Sequence, residues 1–69
     1  MNRQSNVSIV LKDDDGLFIR YGTTKFRPQS PSDTKGLTRG KTTRAWPVDA
    51  LRTGLRVDTA EGLKIWHRA

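Results

Sequence analysis

The sequence predicts an α+β fold: two β-hairpins forming a small antiparallel sheet, with a long basic loop and one short helix between them. Three observations predict it. Apolar residues alternate with polar ones near both ends of the chain, each run broken by a turn that ends in glycine. A proline-led stretch with helical apolar spacing precedes the second pair of strands. Between them, residues 22–45 hold only Phe26, Leu37 and little else that a core would use.

The chain has 69 residues, room for a single small domain, since a fold of this size buries roughly 60% of its unfolded surface. Residues 1–6 read as an N-terminal tail. Over 7–21, Val7, Ile9 and Leu11 alternate with Ser8, Val10 and Lys12, and Leu17, Ile19 and Tyr21 alternate with Phe18 and Arg20. Asp13-Asp14-Asp15-Gly16 joins the two runs, with Gly16 suited to a positive φ. Val7, Ile9 and Leu11 are the expected inner face of the first strand.

Over 55–69 the pattern recurs. A shift of 46 places Leu55 on Ile9, Val57 on Leu11, Gly62 on Gly16, Leu63 on Leu17 and Ile65 on Ile19. The expected inner face is then Leu63 and Ile65, continued by His67 at its frayed end, with Lys64, Trp66 and Arg68 opposite. Residues 46–54 read as the helix: Pro47 at its first position, Asp49 toward the positive end of its dipole, Arg52 toward the negative end and Gly54 as its cap. Two turns of helix need packing to persist. Exposed strand edges in such a sheet would allow a homodimer.

Residues 22–45 are the basic loop, which a third strand around 23–26 would shorten. Thirteen Lys and Arg stand against seven Asp and Glu, a surplus of six. Residues 20–45 contain Arg20, Lys25, Arg27, Lys35, Arg39, Lys41 and Arg44 against Asp33 alone, while the flanks balance. The expectation is a neutral scaffold holding out a mobile cationic arm.

Several chemistries fall away. With no cysteine there is no disulfide, thiol nucleophile or Cys-based zinc site. His67 has no visible nucleophile beside it and reads as a packing residue. The three consecutive aspartates cannot all aim at one ion, and no metal or other cofactor is expected. Gly36 to Thr42 has three residues between its glycines where a phosphate-binding P-loop has four. No apolar run exceeds three residues, which argues against a membrane span or secretory leader and for a cytoplasmic protein.

What remains is a non-enzymatic binding module acting in gene expression. Arg20, Lys25, Arg27, Lys35, Arg39, Lys41, Arg44, Lys64, Trp66 and Arg68 are the expected contacts, cations for phosphates and the indole for stacking on DNA or RNA bases. The alternative partner is an acidic surface on a larger machine such as RNA polymerase, which the same charge would attract.

Overall fold

The structure, a computed structural model, describes residues 6–69 and is a closed six-stranded antiparallel barrel rather than an α+β domain. The strands are β1 (Val7–Asp13), β2 (Gly16–Tyr21), β3 (Thr24–Pro28), β4 (Thr42–Pro47), β5 (Gly54–Thr59) and β6 (Gly62–Arg68). Around the barrel they run β1-β2-β3-β6-β5-β4, with β4 closing onto β1. The expected hairpins are present as β1–β2 and β5–β6, and the expected loop supplies β3 and β4. Closure leaves no strand edge open among the described residues, which removes the feature that favoured a homodimer. No helix among the described residues is long and apolar enough to cross a membrane.

The two hairpins share their register and differ in which face they bury. Asp13 pairs with Gly16 and Thr59 with Gly62, each pair spanning a two-residue turn. The turns are held by side chains: the Asp15 N–H donates to Asp13 Oδ1 at 2.9 Å, and the Thr59 hydroxyl donates to the Gly62 carbonyl at 2.8 Å. The shift of 46 therefore describes the turns correctly. The faces invert. In β1, Val10 is buried and Ile9 is exposed, whereas in β5 Leu55 and Val57 are buried. In β6, Trp66 is buried while Leu63 and Ile65 lie outside, so the expected inner face is the outer one, and His67 is exposed with them.

Trp66 decides that phase by size. The core comprises Val10, Ile19, Phe26, Leu37, Ala45, Leu55, Val57 and Trp66, and burying the indole removes more apolar surface than burying either aliphatic neighbour. The indole N–H keeps a partner inside by donating to the Asp33 carbonyl at 3.2 Å.

The expected helix over 46–54 is absent. Trp46 and Pro47 continue β4, paired with Arg56 and Leu55, and Gly54 opens β5. The capping chemistry survives as a single turn: the Arg52 N–H reaches the Asp49 carbonyl at 3.2 Å, and both the N–H and the hydroxyl of Thr53 bind the Asp49 carboxylate. Arg52 then takes φ 55 and ends it. Strand pairing on both sides leaves too few residues for the helix to propagate.

The cationic arm is also absent. After β3 the chain makes a 3-10 turn over Pro31–Thr34, then crosses one end of the barrel and enters β4. Leu37 plugs that end, 7% exposed. Backbone bonds tie the crossing down at both sides: Ala60 N–H to the Lys35 carbonyl at 2.9 Å, Val10 N–H to the Lys41 carbonyl and Gly40 N–H to the Val10 carbonyl, both 2.8 Å. Gly36 is required there, at φ 79 and with Ala60 Cβ only 2.8 Å from where a side chain would begin.

Candidate nucleic-acid interface

Strand direction fixes what stands at each end. The two hairpin turns, the end of β3 and the crossing segment share the plugged end; the β2–β3 turn, the β4–β5 connection and the end of β6 share the other. Toward the plugged end, among the described residues, lie Lys12, Arg27, Lys35, Arg39, Lys41 and Lys64 with Asp13, Asp14, Asp15, Asp33, Asp58 and Glu61, six cations to six acids. Toward the other, among the described residues, lie Arg20, Arg44, Arg52, Arg56 and Arg68 with Asp49 alone, five to one, while Lys25 starts there but reaches Asp13 at the plugged end. Charge concentrated by sequence into the middle third is thus redistributed by the fold along the barrel axis. The surplus belongs to the second end.

The expected contact residues divide accordingly. Lys25 and Arg27 are occupied within the molecule. Asp13 Oδ2 accepts from Arg27 Nη2 at 2.6 Å and from Lys25 Nζ at 3.2 Å, and Asp15 lies 3.9 Å from the same guanidinium. Beneath them is the Phe18 ring, 4.5 Å from the Lys25 ammonium, 5.4 Å from the Arg27 guanidinium and 5.9 Å from that of Arg20. The hydrogen bond from Arg27 is the main reason the Asp13 carboxyl titrates well below the usual carboxylate range. Phe18 points outward yet is only 7% exposed, because these cations cover it. The acidic turn is thereby a structural clasp.

Trp66, the expected stacking residue, is sealed in the core. Lys35, Arg39 and Lys41 are exposed on the crossing segment among the acids of that end, and Lys64 is half-buried there. Arg20, Arg44 and Arg68 are exposed toward the basic end. Arg68 Nη1 reaches the Leu51 carbonyl at 3.4 Å, fastening the last strand to the β4–β5 connection.

Three residues that the sequence reading left out complete this end. Arg56 pairs with Trp46 across β4 and β5, which sets both on the outer wall beside Ile65. Trp46 is half-buried, and the Arg44 guanidinium stands 5.2 Å from its ring centre. Arg52, brought round by the β4–β5 connection, stands 5.4 Å from the Tyr21 ring. The signal for Arg44, Trp46 and Arg56 was period-two alternation on β4 and β5, hidden once Trp46 was assigned to a helix. Among the described residues, only Lys25 and Arg27 form ion pairs with acidic side chains, so exposed Arg44 and Arg52 and half-buried Arg56 carry charge that no carboxylate pairs.

No family model, curated protein or solved structure matches this chain.

Proposed function

We propose that this protein is a non-enzymatic module that binds nucleic-acid phosphates, with the arginine end of the barrel as its contact surface. The observation that carries the reading is the axial separation of charge: five arginines at one end, Arg20, Arg44, Arg52, Arg56 and Arg68, without an acidic partner among the described residues. A concentrated positive field attracts a polyanion, and each phosphate met by an arginine releases counterions, which makes association fall steeply with salt. Arginine suits this because its planar fork stays charged and can hold two phosphate oxygens at once. Strand backbone carries Arg20, Arg44, Arg56 and Arg68 at set spacing, which limits the backbone ordering entropy lost on binding.

The test is a titration of a labelled oligonucleotide at several salt concentrations. Five phosphate contacts predict a log–log slope of roughly −3 to −4 for a single strand. Replacing Arg44, Arg56 and Arg68 by glutamine should weaken binding and flatten the slope more than replacing Lys35, Arg39 and Lys41. Equal effects would move the interface back to the crossing segment. No binding at low salt would end the reading.

A second reading has one observation in its favour. Leu51 is 75% exposed at the tip of the β4–β5 connection, amid the arginines. Phosphates have no use for an aliphatic side chain, whereas an acidic protein surface, such as one on RNA polymerase, could receive it in a pocket. Capture of a specific protein from nuclease-treated lysate, lost on Leu51→Ser substitution, would favour this reading over the first.

A further inference from the structure

Given phosphate binding at the arginine end, and resting on that reading, we propose that Arg44 and Trp46, flanked by Arg56, form a stacking platform for an unpaired base, so that the nucleic acid taken is single-stranded.

The four large aromatic rings outside Trp46 are all committed elsewhere. Trp66 and Phe26 are wholly buried, Phe18 is roofed by its three cations, and Tyr21 packs against the core with Arg52 across it. Trp46 and Phe18 are the large rings on the outer wall, and of the two only Trp46 lacks a roof of ion-paired cations among the described residues. The indole is only partly buried on β4 and lies outside the core cluster, so part of its surface remains open to a ligand.

Its surroundings suit a base. The Arg44 guanidinium, 5.2 Å from the ring centre, puts a second flat, polarisable group beside the indole, and bases stack on both indoles and guanidinium planes. Arg56, across from Trp46, places a phosphate donor beside the ring. Ile65, directly across from Arg56 on β6 and 37% exposed, extends the apolar floor on that side. Alternating cation and aromatic on a sheet wall serves a strand whose backbone and bases are both accessible; a duplex hides its base faces within its own stack. The contrast with Phe18 is instructive. There Asp13 holds Lys25 and Arg27 down over the ring, whereas among the described residues no acidic side chain bridges Arg44 or Arg56.

The experiment compares three probes at low salt: a twelve-nucleotide oligothymidylate, a duplex of the same length and inorganic polyphosphate. The wild-type protein should bind the oligothymidylate more tightly than the duplex. Trp46→Leu should weaken oligothymidylate binding about tenfold or more while leaving polyphosphate binding unchanged, and Trp46→Phe should restore most of the loss. Since Trp66 is sealed, quenching of wild-type tryptophan fluorescence by oligothymidylate but not by polyphosphate reports Trp46 directly, without any variant. If all three probes bind and Trp46→Leu changes none of them, or if the duplex is preferred, base stacking is overturned while phosphate binding stands. If no probe binds, both readings fall together.

Discussion

Leu37→Ala probes whether the basic segment is part of the fold. Leu37 lies in the middle of the stretch that sequence composition marks as a loop, yet it is 7% exposed and closes one end of the barrel. Truncation removes three buried carbon groups, worth about 0.8 kcal/mol each, or ~2.4 kcal/mol in transfer free energy. The position is at a barrel mouth, where water can enter the space left, so the added cavity cost should be small and the total should fall at the lower end of the ~2–5 kcal/mol usual for Leu→Ala. A domain of this length is stabilised by only roughly 3–10 kcal/mol. The loss should lower the melting midpoint by about 10–20 °C, at the ~4–8 °C per kcal/mol expected for small domains. Urea titration followed by tryptophan fluorescence and far-ultraviolet circular dichroism measures it, with Arg39→Gln as an exposed neighbour that should shift stability by less than ~0.5 kcal/mol. A Leu37→Ala effect as small as that of Arg39→Gln would refute the packed crossing and restore a detached arm.

Other outcomes follow from single contacts. The Asp13 and Asp49 carboxyls titrate below their ordinary range, Asp13 chiefly through Arg27 and Asp49 chiefly through the Thr53 hydroxyl. The unfolded chain therefore takes up their protons first as pH falls, so their contribution is whole above about pH 5 and drains away through and below pH ~4. Asp13→Asn should flatten that acid limb in melts recorded from pH 6 to pH 2; an unchanged limb would mean the clasp with Arg27 does not form. Gly36→Ala forces a β-carbon into a left-handed backbone against Ala60 and should cost more than ~1 kcal/mol in urea titration, whereas a neutral result would mean the crossing segment sits elsewhere. Trp66→Phe leaves the Asp33 carbonyl without its indole donor and should cost about 1–3 kcal/mol, and a smaller loss would show that water replaces the bond.

Local turn chemistry was legible in the sequence, and the global choice of face was not. Asp13-Asp14-Asp15-Gly16 and the turn ending at Gly62 read correctly because glycine and acidic side chains act within a few residues. The phase of β6 needed knowledge of the volume inside. Leu63 and Ile65 together look more apolar than a single Trp66 until one asks which set fills a barrel whose other walls bring Phe26, Leu55 and Ile19. Residues 46–54 misled because Pro47, Asp49 and Gly54 suit a helix start and stop as well as a strand end, a one-turn connection and a tightly packed strand. Strand pairing, a long-range interaction, outweighed local propensity there.

The candidate interface shows the same division. The surplus of positive charge was legible from composition, but its location was not, because three-dimensional pairing sends Asp13 to Lys25 and Arg27 and gathers distant Arg20, Arg44, Arg52, Arg56 and Arg68 at one end. Within the segment richest in cations by sequence, Lys25 and Arg27 pair with Asp13, Lys35, Arg39 and Lys41 lie at the end that holds most of the acids, and Arg20 and Arg44 go to the other.

Amide chemical-shift mapping during an oligothymidylate titration tests that redistribution most directly. The largest shifts should fall on Arg20, Arg44 to Trp46, Arg52, Arg56 and Arg68, and should fade as salt is raised. Shifts centred on Lys35 to Lys41 and the two hairpin turns, or none at low salt, would contradict it.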